Sequence, residues 1–400
     1  MKKFTGKEYL MIDIANSYGL DKENWDVRLS WVAEHEDHLE DLIKKADDPA
    51  MYYAGVKAFR NMDKEIQYPI SLDATSSGIQ ILSVLLGDKK AAEHCNVINV
   101  DGRRDIYTDL YHEMLHEVGS DNAAIDRESV KKSIMTSCYG SVKKPKEVFG
   151  EQMYPTFVEV MNKELPLIWE FNQACLEMWN PKWESYGWIM PDNFHVNIKV
   201  EGIDKETIYI NYEPIEITYK VQKPQKNGRS ISANITHAVD SLIVREMVRR
   251  CMFDSSRIDY VTKVCINYIK YGRIKQREER SRDNLLKGLW KHYQESGFLS
   301  ARVLELIDSY NIQLIDPKKV IQLIGTLPEK PFDIIPTHDC FRCHPNYGND
   351  VRQQYINILA ELHQSDLLQY ILRQLTDSNI TVYKGADFTV DILNSEYALS

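Results

Sequence analysis

Apolar residues recur at helical spacing through most of the first seventy positions. They run through Trp31-Val32-Ala33 and Leu39, Leu42 and Ile43, then through Met51-Tyr52-Tyr53-Ala54, Val56 and Phe59, with Pro49 dividing the two runs. The period changes at Tyr68-Pro69-Ile70-Ser71-Leu72-Asp73, a short run that predicts a strand ending on a carboxylate. Ser76-Ser77-Gly78 then hands over to an apolar helix over 79–86, which Gly87-Asp88 ends. Two further helices are predicted over 105–118 and 126–139, the second opened by Asp126 as an N-cap and closed by Gly140. Helical periodicity continues over 155–180.

The texture changes at Trp183. Trp188-Ile189-Met190-Pro191-Asp192 predicts a strand and turn, and 208–212 and 215–221 alternate as two strands of a hairpin around Glu213-Pro214. A basic loop over 223–229 leads to a helix over 238–252 and a helical block over 260–324 that carries a basic run at 270–282. An apolar strand over 332–341 delivers His338-Asp339 at its end, and 351–375 reads as one long helix. There is no internal repeat and no low-complexity tract. The expected class is α+β, helix-rich, with a small antiparallel sheet, in segments 1–87, 88–182, 183–252, 253–330 and 331–400.

Composition narrows the class further. Four hundred residues with 43% hydrophobic, 27% charged and 10% aromatic content exclude disordered, collagen-like and disulfide-scaffold proteins and allow a sizeable core. Seven cysteines, an odd number thinly spread, read as reduced thiols. The first residues hold no apolar signal region and no stretch approaches ~18 uninterrupted apolar residues, so neither export nor a membrane span is expected and the chain is placed in the cytoplasm. Lys and Arg number 49 against 59 Asp and Glu, a net charge of −10. Taken alone, that balance argues against a protein that wraps a polyanion.

Two predicted strands each end on an aspartate, Asp73 and Asp339. A pair of carboxylates from distant parts of a chain suits Mg²⁺, which takes one or two protein carboxylates and leaves its other positions to water and phosphate oxygens. Asp at a strand end is more often a turn former, so either residue alone carries little. The helix over 126–139 adds Arg127, Lys131, Met135 and Tyr139 at i+4 spacing along one face: two cations for a triphosphate, then an apolar end for a base and sugar. A solvated amphipathic helix would show the same residues. Cys340-Phe341-Arg342-Cys343-His344 also satisfies a C-x-x-C-H haem-attachment pattern, but no export signal or second ligand pair accompanies it.

Taken together, Asp73-Ala74-Thr75-Ser76-Ser77-Gly78-Ile79-Gln80, then Arg127-x3-Lys131-x3-Met135-Thr136-x2-Tyr139-Gly140-Ser141, then His338-Asp339 resemble motifs A, B and C of the phage and mitochondrial single-subunit RNA polymerases, in order and in internal spacing. Trp188 to Asp192 is similar to the strand and turn before that family's promoter-reading hairpin. Ala233 to Ser241 is similar to its His-Ser-x-Asp helix start, with Ala238 in place of Ser, and Ile392 to Ser400 resembles its C-terminal foot. The resemblance runs from about residue 7 to residue 400. It implies a right-hand polymerase palm and fingers, DNA-directed ribonucleotidyl transfer from ribonucleoside triphosphates into RNA on a DNA template, and two Mg²⁺ ions on Asp73, Asp339 and the Ala74 carbonyl. It further implies that Lys131 protonates the leaving pyrophosphate with Arg127 beside it, that Met135, Tyr139 and Gly140 receive the nucleotide, that Tyr139 favours ribose, and that His237 faces the new pair. His338 is expected to shape the turn under Asp339.

The residues after each aspartate separate this chain from related DNA polymerases, which carry a Glu in motif A and usually read His-Asp-Glu in the last motif; here they are Ser-Gly-Ile-Gln and Cys340. A non-catalytic polymerase-like scaffold is the rival from another class, and it has no physical need for both aspartates with Lys131 and Tyr139. The chain opens where the family's palm is already under way. The thumb, the N-terminal domain and the Gly-Arg motif are therefore expected on a second subunit, as in the split enzymes of Enquatrovirus-type phages. Residues 253–330 read as an insertion, either structural or a surface for a recruiting single-stranded-DNA-binding factor or template strand. The hairpin is short and rich in Tyr and Glu, which argues against major-groove readout. Basic clusters at Lys131-Lys132, 143–146, 220–229 and 270–282 reconcile the net charge with a nucleic-acid substrate, since the field at the cleft matters more than the total.

Overall fold

Thr5 opens the first helix, α1 (Gly6–Ala15), with a reciprocal cap: its hydroxyl accepts from the Glu8 amide at 3.3 Å while the Glu8 carboxylate accepts from the Thr5 amide at 2.7 Å. Helix α1 is buried from Tyr9 to Ala15 and packs against α2 (Trp25–Glu34) and α3 (Pro49–Arg60). Pro49 occupies the first turn of α3 behind the Asp48 cap, where a missing N–H costs nothing. The computed structural model describes residues 1–64, 66–119, 125–138, 140–228, 230–272 and 275–400.

Strand β1 (Ile70–Asp73) leads into α4 (Ser77–Leu86), buried from Ile79 onward as its continuous apolar run requires. Gly87 ends α4 at φ 71°, and a Cβ there would lie 2.8 Å from the Gly385 amide nitrogen, so both conformation and space demand glycine. Next come α5 (Lys89–His94), α6 (Ile106–Val118), α7 (Arg127–Cys138), α8 (Lys143–Glu164) and α9 (Pro166–Glu177). The helical pattern expected over 155–180 is met by two helices, α8 and α9, with a break between them. Leu165, forced out of helical geometry by the following Pro166, sits at φ −132°, ψ 55°.

Strands β2 (Ser185–Ile189) and β3 (His195–Lys199) form one antiparallel ribbon, β4 (Glu201–Ile210) and β5 (Glu213–Gln222) a second. The second hairpin is longer than its sequence suggests, and it turns at Asn211-Tyr212, not Glu213-Pro214. Both turn residues take positive φ, 50° and 68°, as a two-residue hairpin requires. Pro214 lies within β5 opposite Tyr209, tolerated because every strand of a two-stranded ribbon is an edge. Helix α10 (Ile231–Cys251) begins seven residues before the expected 238 and places His237 in its second turn.

Helices α11 (Ser255–Tyr271), α12 (Ser281–Ser296) and α13 (Pro317–Ile324) bury their own apolar cluster, including Val261, Leu286, Ile307 and Val320, separate from the main core. The chain then returns through β6 (Ile334–Thr337), β7 (Cys340–Cys343), α14 (Gly348–Gln364) and α15 (Leu367–Thr376). The single helix expected over 351–375 is interrupted at Ser365, which is extended (φ −81°, ψ 160°) and accepts the Leu367 amide on its hydroxyl at 3.3 Å. Lys384 Nζ takes the carbonyls of His363 and Ser365, so the broken end is satisfied by a distant side chain.

The central sheet is antiparallel in the order β1-β7-β6. Ile70, Leu72, Phe341, Cys343 and Ile334 point from it into the main core. The opposite face carries Ser71, Asp73, Cys340 and Arg342 along cavity walls. Strand β7 accounts for the C-x-x-C run: Cys340 and Cys343 point to opposite faces and cannot converge on one ligand. The architecture is helix-rich α+β with small antiparallel sheets. Among the described residues no helix is long and apolar enough to cross a membrane.

Candidate active site

Strand pairing brings the two predicted aspartates together. Asp73 ends β1 in register with Cys340, while His338-Asp339 is the two-residue turn between β6 and β7, closed by the Thr337–Cys340 pair. His338 holds φ 55°, the backbone geometry such a turn needs at its first position. Next to it, the Ala74 amide donates to the Asp339 carbonyl at 3.2 Å. Burial and the charge of Asp339 together push the Asp73 carboxyl up to about 6, the mark of two carboxylates sharing one place. A third carboxylate, Asp240, is raised by burial and by Asp339, against the opposing pull of His237 and His338. His237 is exposed on α10 one turn before Asp240, so the predicted histidine stands on the same side as the aspartates.

The loop after Asp73 is fixed from beneath by Gln80, which is fully buried. Its amide donates to Thr75 Oγ1 (3.0 Å), the Cys95 carbonyl (2.9 Å) and the Ala398 carbonyl (2.9 Å), and its carbonyl accepts from the Tyr355 hydroxyl at 2.7 Å. The C-terminal residues pair along the same loop: Ser400 donates its amide to the Asp73 carbonyl at 2.9 Å, and Thr75 donates to Ala398 at 3.3 Å. Tyr397 stacks on Trp25 at 5.0 Å between ring centroids. The Ala74 carbonyl accepts from the Ser76 amide at 3.1 Å.

Asp126 caps α7 by accepting the Ser129 amide at 2.9 Å, as its position predicts. Lys131 and Arg127 line a cavity of about 210 Å³ together with Asp73 and Ala74. Met135 and Asp339 line an adjoining cavity of about 110 Å³ with Ser76, Gly78 and Tyr107. The three sequence motifs therefore line two cavities that share Ser76 and Tyr107. Lys131 Nζ lies 5.6 Å from the centre of the Tyr107 ring, a cation–π contact that orients the ammonium. Arg127 is engaged rather than free: Nε donates to Thr108 Oγ1 at 2.8 Å and Nη2 to Asp105, both in the first turn region of α6. Gly140 follows α7 at φ 81°, its amide donating to Ser137 at 2.8 Å. Tyr139 lies outside the described residues.

Several lining residues escape a reading of the sequence. Lys22, Arg103, Arg104 and His94 face the Lys131 cavity, and none belongs to a spacing pattern. Asp240 stands in the sequence as the Asp of the His-Ser-x-Asp resemblance, three residues after His237 on one helix face, with no role expected of it. His94 is buried with Asp109 at 3.0 Å from Nδ1 and Glu164 at 2.9 Å from Nε2. These carboxylates overcome the burial that would lower its pKa, so the imidazolium is favoured. A raised folded-state pKa stabilises fully below the ordinary value of 6.5 and fades as pH climbs through the raised one. Urea unfolding is therefore expected to show stability falling from pH 6.5 upward. His94→Gln should remove that slope and cost about 1–3 kcal/mol at pH 6; an unaltered slope would exclude His94 as its source.

Residues 3–146, which hold Asp73 and Lys131, match the sequence model of the DNA-dependent RNA polymerase family. The chain is 27% identical over 161 residues to a probable DNA-directed RNA polymerase of Neurospora crassa, covering 35% of this chain and 18% of that one. It is 22% identical over 315 residues to the DNA-directed RNA polymerase of Pseudomonas phage phiKMV, covering 60% and 38%. It is 26% identical over 178 residues to mitochondrial DNA-directed RNA polymerase 1 of Arabidopsis thaliana, covering 34% and 18%. The matched stretches thus span less than two fifths of these relatives' lengths. Over residues 3–146, the segment that carries the first aspartate and the cationic helix, the chain matches the DNA-dependent RNA polymerase family, and it is similar to DNA-directed RNA polymerases of a phage and of mitochondria.

Proposed function

We propose that this chain is the catalytic part of a DNA-directed RNA polymerase, with the β1-β7-β6 sheet as the palm and α6 to α9 within the fingers. The observation that carries this reading is the meeting of Asp73 and Asp339 across strand pairing, with Lys131 on a cavity wall beside Asp73 and Asp339 on a second cavity that shares Ser76 and Tyr107 with the first. The donor set fits hard divalent cations: two adjacent carboxylates, one of them raised by burial and by the charge of the other, with a backbone carbonyl at Ala74. Mg²⁺ ions held there would supply charge stabilisation to the attacking and leaving oxygens of an in-line displacement.

In this reading the RNA 3′-hydroxyl gives its proton to water and attacks the α-phosphorus of a ribonucleoside triphosphate, the bond from that phosphorus to the α,β-bridging oxygen breaks, and pyrophosphate leaves with a proton from Lys131, which water then restores. Arg127 braces α6 against α7 and sets the phosphate side of the cavity. Met135 and Gly140 border the nucleotide, Tyr139 contacts its ribose, and His237 faces the new base pair. DNA serves as template. A second subunit supplies the thumb and the Gly-Arg segment, as in the two-subunit Enquatrovirus-type enzymes, and a single-stranded-DNA-binding factor recruits the complex.

The test is extension of an RNA primer on a DNA template by the purified chain, with and without that subunit. Mg-dependent addition of ribonucleotides is expected, made processive by the partner. Failure with every partner and template would sink the polymerase reading, and robust processive synthesis by the chain alone would sink the split one. In the same assay Tyr139→Phe is expected to keep synthesis while the preference for ribose falls about tenfold, the loss of one hydrogen bond's discrimination. Unchanged sugar selectivity would remove Tyr139 from that role.

A further inference from the structure

Among the cations around the Lys131 cavity, Arg103 has no engagement that explains it. Arg127 is tied to Asp105, and Arg104 is paired with Asp109 at 3.2 Å. Arg103 lines both this cavity and the neighbouring one of about 280 Å³, with Asp73 on the wall of each. Asp21, Asp105 and Asp73 act on it electrostatically, yet no described carboxylate comes within ion-pair distance. Its side-chain hydrogen bond is a long one, from Nε to Ser400 Oγ at 3.4 Å. Burial nevertheless weighs on the guanidinium and lowers its pKa. A partly desolvated arginine without a close counter-ion is an unfavourable arrangement unless an anion completes it.

The backbone around Arg103 is held rigidly. Gly102 takes φ 79° against the Asn24 side chain, and Asn24 Oδ1 accepts the Arg103 amide at 2.7 Å. One residue on, buried Asn96 brackets Arg104, accepting its amide at 2.7 Å and donating to its carbonyl at 2.9 Å. Asp105 then caps α6 by accepting the Tyr107 amide at 3.1 Å. Two asparagines thus fix the loop on both sides of a guanidinium that faces the reaction space. A planar guanidinium so placed suits the paired oxygens of a phosphate.

We propose that Arg103 is a polyphosphate-binding residue, contacting the β- and γ-phosphates of the incoming triphosphate and the pyrophosphate that leaves. This rests on the polymerase reading for the identity of the substrate, and on the loop geometry for the anion. Lys131 approaches the phosphates from the α7 side, and Arg103 approaches from the side of Asp73.

The test compares Arg103→Ala and Arg103→Lys with the unaltered chain in primer extension with the partner subunit, reading KM for the nucleotide, kcat and inhibition by inorganic pyrophosphate. Arg103→Ala is expected to raise both KM and the pyrophosphate inhibition constant about tenfold, the worth of one charge-assisted contact, with kcat changed less than KM. Arg103→Lys should recover part of each. In parallel, calorimetric titration of Mg-pyrophosphate onto the chain should show about tenfold weaker binding for Arg103→Ala than for the unaltered protein. KM, inhibition and pyrophosphate binding all within twofold of the unaltered protein would overturn the assignment. Asp339→Asn separates the two readings. If that variant turns over normally the polymerase mechanism fails, whereas pyrophosphate binding that depends on Arg103 would stand.

Discussion

An Asp339→Asn chain is expected to lose nucleotide addition by about 10³-fold, on the scale of removing a preorganised electrostatic group from an active site, while keeping its hold on a primed template. The substitution is a clean probe because the contact that seats the turn is made by backbone: the Ala74 amide donates to the Asp339 carbonyl, and the Thr337–Cys340 pair closes the hairpin. Neither needs the carboxylate. Removing that charge also relieves Asp73, whose carboxyl is pushed up to about 6 by burial and by Asp339. A carboxyl raised in the folded state stabilises below its ordinary pKa of 3.8 and loses that contribution as pH rises through about 6. The crowded pair therefore weighs on the metal-free fold at pH 8, and the Asn variant should melt no lower than the unaltered chain in EDTA at that pH. Lost synthesis with undiminished melting temperature would isolate the metal-binding role. Unchanged turnover would refute the assignment of Asp339 as a ligand.

The double change Asp73→Asn with Asp339→Asn is informative in the same way. If the two carboxylates act as one cation site, the double variant should be little slower than either single one, because groups that act as a unit are strongly non-additive. Independent roles would multiply instead.

Asp73 was legible in the sequence because a short alternating strand ended on it, and Asp339 because an apolar strand led to it. The fact that they meet was not, since it depends on β7. Cys340 to Cys343 carries little β-pattern of its own and reads first as a metal or haem motif, yet that strand lies between β1 and β6 and sets the register of both aspartates. Arg103 was illegible for a similar reason. Its fixed geometry comes from Asn24 and Asn96, residues whose spacing from it follows no period. Arg127 was legible as a cation on the right helix face, but its engagement with Asp105 and Thr108 is tertiary. The β4-β5 hairpin was read short because both of its faces are largely exposed, and without one buried face alternation has nothing to enforce it. Helix breaks show the same contrast. Pro166 announces its own, whereas Ser365 interrupts an amphipathic pattern that runs through it unbroken and is stabilised by Lys384 from elsewhere.

The largest expected loss of stability comes from Arg250, far from the proposed chemistry. Its guanidinium is fully buried and donates to Glu361 twice, at 2.7 and 2.6 Å, and to Glu246 at 3.3 Å. Glu246, also fully buried, accepts in turn from Arg249 at 2.9 Å, from the Ser300 hydroxyl at 2.5 Å and from the Ala301 amide at 2.9 Å. Arg249 continues the network to buried Asp192, which also receives Arg245 at 2.6 Å. The network joins α10 to α14, to the turn after β2 and to the loop that enters the separate apolar cluster of residues 261–323. Arg250→Met removes the buried cation, takes from part-exposed Glu361 the arginine that holds it, and leaves buried Glu246 to Arg249, Ser300 and Ala301, so it should cost about 3 kcal/mol in urea unfolding, the low end for breaking a buried pair. Adding Glu361→Gln to Arg250→Met should recover part of that loss, because Glu361 is the carboxylate left without its arginine and the penalty lies in the unpaired charge rather than in the missing bond. A single variant that loses less than about 1 kcal/mol would mean that water reaches these carboxylates and that the network is worth no more than a surface pair. If instead the loss is large and confined to 253–330 in hydrogen exchange, the network is what couples that cluster to the helix carrying His237 and Asp240, and damage there should slow synthesis without touching a residue of the site.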